Sequence, residues 1–250
     1  MDTPRGLDHL PTLVAIGLLA YASADIAHHA LGHGGMCLVA GGSIRSLSSV
    51  FVDCTVRGAA VDLAGPFANL IVGALACALA FRARRAPRLF LALAAGFNFL
   101  WFALQLVFSV ATRTDDFAWA MQVYQVSEPF RYALIATGIT LYMLSMRLVN
   151  RVFRPFGPST RARRIVWTAW LTAGLFACIT ASFDRNPLGA ILHSAAPQSL
   201  ALSIGLLFLP RYVASAAEEP VIERRVAWLF AALIIAAISI GFLGPGFAVR

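Results

Sequence analysis

Three histidines and a carboxylate fall within nine residues, Asp25-Ile26-Ala27-His28-His29-Ala30-Leu31-Gly32-His33. They close an apolar run that begins at Leu10. Ionisable groups inside a membrane-length apolar segment are costly, and they mark functional sites by default. On an α-helix His29 and His33 are i and i+4 and project about 40° apart, so both imidazoles can reach one metal ion. This is the spacing of the H-E-x-x-H zinc motif, in which the intervening Glu is the general base. Here Ala30 stands where that Glu would be. Asp25 lies one turn before His29 on the same stripe and can orient it or act as a ligand. His28 lies about 100° round an α-helix and needs a different partner. Asp25 and His28 are the substitutes within reach for the missing base, with Asp62 more distant. A haem reading would draw a second histidine from another helix, and His193 alone offers one. A small transporter using the histidines directly is the remaining reading of this kind.

The elements that must position these groups are apolar helices. The chain has 250 residues, 59% hydrophobic and 13% charged, whereas a soluble domain carries about 25% charged residues. This composition specifies an all-α polytopic protein embedded in the lipid bilayer. A bilayer-spanning helix needs about 20 apolar residues. Seven candidates follow: Leu10–Ala40, Ala59–Phe81, Leu89–Ala111, Phe130–Leu148, Ile165–Phe183, Ser199–Val213 and Val226–Phe247. Pro210 and Arg211 cut the sixth short, so six spans with a re-entrant segment is the alternative count.

All 20 basic residues are arginine. They do not point to nucleic acid, because they gather in alternate short loops. Arg82, Arg84, Arg85 and Arg88 form one group, Arg151, Arg154, Arg161, Arg163 and Arg164 a second, and Arg211, Arg224 and Arg225 a third. The positive-inside rule makes those loops cytoplasmic, which places the N-terminus inside and the C-terminus outside. The histidines and the pair Asp115–Asp116 then fall on the same, outer side. Between the first two spans, Val50, Val52, Cys54 and Val56 repeat with period two. That pattern reads as a short interfacial strand or hairpin, with an ordinary surface loop as the plain reading. Cys37 and Cys54 could pair on an oxidising side; otherwise they are two buried thiols.

Three pieces of the sequence together resemble the site-2 protease-like intramembrane zinc metallopeptidases. The first is His29-Ala30-Leu31-Gly32-His33 followed by Gly41-Gly42-Ser43-Ile44, similar to H-E-x-G-H, a double glycine and a strand. The second is Ala64-Gly65-Pro66-Phe67-Ala68-Asn69, similar to the A-G-P-x-x-N segment that opens the next helix. The third is Asp116-Phe117, similar to the late aspartate that completes the zinc shell. The resemblance covers a membrane core over residues 1–125 and leaves 126–250 as additional helices of unassigned role. It implies zinc held by His29, His33 and Asp116, with Asp115 as the alternate, and Asn69 near the site. It also implies a strand after Gly42 that receives an extended transmembrane protein or peptide substrate along its edge. Plainer readings stand beside these: Gly65-Pro66 as a helix start, Asn69 bonded to a neighbouring helix, and the two aspartates capping a helix. The departure at Ala30 makes peptide hydrolysis doubtful. A non-catalytic pseudoprotease, a membrane binding module that recognises a transmembrane partner, is the alternative.

Overall fold

A computed structural model describes residues 7–211 and 220–247. Among the described residues seven helices are long and apolar enough to cross a membrane: Leu10–Val39, Ala59–Ala80, Arg85–Thr112, Glu128–Phe156, Thr160–Ala181, Pro187–Pro210 and Val226–Leu243. The protein is an all-α polytopic membrane protein with one small sheet. The first rod is composite: α1 (Leu10–Ile26), a π-helical stretch (Ala27–Gly34) and α2 (Gly35–Val39). A hairpin follows, β1 (Ile44–Leu47) antiparallel to β2 (Val52–Cys54). Then come α3 (Ala59–Ala80), α4 (Arg85–Thr112), the short α5 (Asp115–Val123), α6 (Glu128–Phe153), α7 (Ser159–Ala181), α8 (Pro187–Ala190) and α9 (Val226–Ile238).

The core forms around α4, where Ala92, Ala95, Leu100 and Ala103 are fully buried. It packs against α1, α3 and α6. By contrast α6 and α9 expose Ile139, Met143, Leu144, Phe230, Leu233 and Ile234. Apolar side chains on an outer helix face are what a lipid surround requires. At one end of the bundle Asp8 joins three segments. Arg161 donates to both Asp8 carboxylate oxygens, at 2.9 and 2.8 Å. Arg164 donates to the Asp8 carbonyl at 2.6 Å, and the Ile222 amide to the carboxylate at 2.8 Å. The hairpin and α5 lie at the other end. There Leu47 exchanges both backbone hydrogen bonds with Phe247 (2.9 and 2.8 Å), and the Ser49 amide donates to Leu243.

Three expectations need correction. The sixth span begins at Pro187 rather than Ser199, because π-helical turns at Ile191–Ala195 and Pro197–Ala201 carry the rod through His193, Ser194, Pro197 and Gln198. The last residues expected of it lie outside the described residues, as do the chain termini. Cys37 and Cys54 are joined by a disulfide between α2 and β2 rather than buried as two thiols. Gly65-Pro66 does not start a helix. Both lie well inside α3, whose first turn is at Ala59.

Candidate metal centre

The histidine segment is π-helical, and this decides which side chains meet. An α-helix stacks i over i+4, whereas a π-helix, with its i→i+5 hydrogen bonds, stacks i over i+5. His28 therefore stands over His33. Their Nε2 atoms are 3.2 Å apart. Asp116 Oδ2 completes a triangle, 3.2 Å from His28 Nε2 and 3.4 Å from His33 Nε2. These three donors form the group of His, Cys, Asp and Glu side chains that converges closely enough for a metal ion among the described residues. His29, expected as a ligand, is replaced in the triangle by His28. Its ring lies 6.2 Å from that of His33, and its Nδ1 turns back to the Asp25 carbonyl at 3.3 Å.

The other ring nitrogens are all engaged. His33 Nδ1 donates to the Val61 carbonyl at 2.7 Å. His28 Nδ1 meets Asn69 Oδ1 at 2.7 Å. A chain of amides fixes the sense of that contact. Asn98 Nδ2 donates to the Ala94 carbonyl, which leaves its Oδ1 to accept from Asn69 Nδ2 at 2.9 Å. Asn69 Nδ2 also donates to the Ala24 carbonyl. Asn69 Oδ1 is thereby an acceptor, so His28 Nδ1 carries the hydrogen. In both neutral rings the Nε2 is then a bare lone pair. Two lone pairs and a carboxylate oxygen face one another within 3.4 Å. A cation is what relieves that arrangement.

Zinc held at about 2.0–2.1 Å by donors at tetrahedral angles places those donors about 3.3–3.4 Å apart. The observed edges of 3.2, 3.2 and 3.4 Å fit that figure. Two imidazoles and one carboxylate are also an ordinary zinc donor set, with a fourth position left open.

Asp116 is set by α4 and by a turn. Gln105 Nε2 donates to Asp116 Oδ2 at 2.8 Å and to Asp115 Oδ2 at 3.1 Å. Ser109 Oγ donates to the Thr114 carbonyl and accepts from the Ala118 amide, so it pins the loop on both sides. Arg113 and Asp115 both adopt left-handed backbone, at φ 61° and 73°, and turn α5 back onto the bundle. Burial by itself would raise the Asp116 carboxyl. Rings protonated at Nε2 would outweigh it, through their hydrogen bonds and charge, and hold the group well below the usual carboxylate range; in the neutral tautomers that role falls to a bound cation. Burial and the neighbouring Asp116 push Asp115 up.

No family model, no curated protein and no solved structure matches this chain. The site stands on its own geometry.

The remaining expected residues are close by. Asn69 orients His28 and is fully buried. A Cβ at Gly65 would meet the His33 ring, and one at Gly32 would lie 2.5 Å from Gly65 Cα, so the two helices touch through glycine. Pro66 follows Gly65 within α3. His193 is exposed and outside the triangle. Sequence reasoning missed Asn98, Trp101 and Gln105. Trp101 stacks on His28 at 4.8 Å between ring centroids. The signal was available: two amides and an indole at i, i+3 and i+7 on an otherwise apolar span mark a polar face.

Proposed function

We propose that this chain is an intramembrane zinc metalloprotein, built like the site-2 protease-like metallopeptidases and acting on an extended segment of a membrane protein. The observation that carries the reading is the donor triangle, with both Nδ1 atoms engaged and both Nε2 atoms aimed at one carboxylate oxygen. His28, His33 and Asp116 would hold the ion. A zinc ion there would polarise a carbonyl and lower the pKa of a bound water.

The π-helical register also bears on the missing base. With His28 as the first ligand, the residue that follows it, in the place of the motif's Glu, is His29 rather than Ala30. His29 is buried against Trp101, and its Nδ1 is held by the Asp25 carbonyl and lies 3.5 Å from the Asp25 carboxylate. Asp25 thereby orients the ring, and Nε2 is left to take a proton. The Cys37–Cys54 disulfide supports an oxidising compartment on the hairpin side. Arginine-rich loops at the other end support the cytoplasm there.

One observation favours a second reading, a non-catalytic binding module. The β1 edge expected to receive a substrate strand is taken at Leu47 by Phe247. The test is metal analysis of detergent-purified protein with a transmembrane-peptide cleavage assay. The expected result is one zinc per chain, lost in His28→Ala, His33→Ala and Asp116→Ala and retained in His29→Ala, with cleavage lost in all four. Zinc retained in His28→Ala overturns the site. Zinc without cleavage in the unmodified protein selects the binding module.

A further inference from the structure

A second buried polar centre lies behind the histidines. Tyr21, Asp25, Ser49, Phe176, Ala177, Thr180, Ala195 and Ser239 enclose a cavity of about 10 Å³. That is room for one water-sized guest. Asp25 Oδ1, Ser49 Oγ and Thr180 Oγ1 are buried and have no hydrogen-bond partner among the described residues. Their residues are 6%, 8% and 1% exposed. Ser239, also buried, brings a further hydroxyl-bearing side chain to the wall. Native structures leave few buried polar atoms unpaired, and here three meet at one cavity.

We propose that this cavity is a binding site for one alkali cation of sodium size, with Asp25 supplying the charge and Ser49, Thr180 and Ser239 the neutral oxygens. The donors are all hard oxygens, which select hard cations over zinc or copper. The single carboxylate matches a single positive charge. Calcium takes about 6–8 oxygen ligands, several of them carboxylates, and magnesium keeps several of its waters; one carboxylate and a few hydroxyls supply neither. Among the described residues no arginine lines the cavity. The basic side chain beside Asp25 is His29, whose Nδ1 donates to the Asp25 carbonyl at 3.3 Å and lies 3.5 Å from Oδ1. The four proposed ligand residues come from α1, the hairpin turn, α7 and the π-helical stretch that extends α9. An ion there would tie the C-terminal helices to the rod that carries the histidines. The site does not depend on zinc and can be tested in zinc-free protein.

The experiment measures equilibrium binding of ²²Na⁺ to purified chelator-treated protein, with thermal stability in NaCl, KCl and choline chloride at equal ionic strength. The expected result is one ²²Na⁺ per chain, a saturable rise in Tm in NaCl beyond that in choline, and both lost in Asp25→Asn. Thr180→Val, which preserves shape, should weaken sodium binding about tenfold, the size of one lost polar ligand. It keeps the test valid if Asp25→Asn does not fold. No stoichiometric ²²Na⁺, or equal responses to sodium and choline, overturns the proposal and leaves water or a protonated Asp25 in the cavity. Sodium binding unchanged in Thr180→Val also overturns it.

Discussion

Asp8 and Asp116 are both buried carboxylates, one at each end of the bundle, and their surroundings are opposite in kind. Asp8 is supplied with cations by the protein. Arg161 and Arg164 reach it, and the Ile222 amide fills a remaining position. Asp116 is faced by two imidazoles that present lone pairs, each with its hydrogen committed elsewhere. A carboxylate whose counter-ion is built into the chain serves structure. A carboxylate surrounded by further donors has its counter-ion left to come from outside. This difference separates a structural hub from a candidate ligand site more sharply than burial does, since both groups are nearly inaccessible.

The comparison breaks most clearly if the two aspartates are exchanged in role. Asp116→Asn should lower zinc affinity by at least about 100-fold, by analogy with the 10–100-fold cost of losing even an outer-shell partner. The metal-free protein should keep its Tm within a few degrees, since the substitution removes a charge that no protein cation balances. Asp8→Asn should do the reverse. Removing one member of a buried ion pair costs about 3–5 kcal/mol, so thermal or denaturant unfolding should shift strongly while zinc stoichiometry stays at one.

Acid sharpens the same contrast. Burial would raise the Asp8 carboxyl, but hydrogen bonds from Arg161 and Ile222 and the charges of Arg161 and Arg164 win and depress it. A depressed folded pKa gives stability that is complete above the ordinary aspartate value of about 3.9 and is lost as pH falls through the folded value. The Tm difference between the unmodified protein and Asp8→Asn should therefore be constant from pH 7 to about 5 and shrink below about 4. A gap that persists undiminished to pH 2 would assign the loss to packing rather than charge.

Smaller effects follow at the hairpin and the amide chain. The disulfide joins residues 17 apart in sequence, and closing a loop of that length contributes about 3 kcal/mol. Cys37→Ser should lower the Tm and leave the donor triangle able to bind. Asn69→Ala frees the His28 ring without touching a ligand, so zinc affinity should fall by about 10–100-fold. An unchanged affinity would show that the Asn98–Asn69 chain is not what orients His28.

Much of the fold was legible in the residues. Seven apolar runs announced seven spans. The sixth span was misplaced because His193, Ser194, Pro197 and Gln198 interrupt the apolar pattern, and only π-helical turns allow the rod to continue through them. The hairpin was read from the alternation at Val50, Val52, Cys54 and Val56, but Val50 belongs to the turn between the strands and Val56 lies beyond β2. The histidine segment was legible as a candidate metal cluster; the convergence of His28 rather than His29 with His33 was not. That choice depends on backbone register, and no local side chain in Ala27–Gly34 announces an i→i+5 hydrogen-bond pattern. Asn98 and Gln105 could have been found, since amides within a span demand partners.

The π-helical stretch also bears on descent. A π-helical turn accommodates one more residue than an α-helical turn while its flanking helices remain in line. Without Ala30, His28 and His33 would be four positions apart, at the spacing an α-helix needs to present both on one face. The segment therefore has the form of an i, i+4 histidine pair with one residue inserted, the change of helix type keeping both rings on one face. A lineage carrying the shorter segment would hold the same two histidines in an ordinary α-helix. An alignment in fixed columns would pair the wrong histidine with the first ligand.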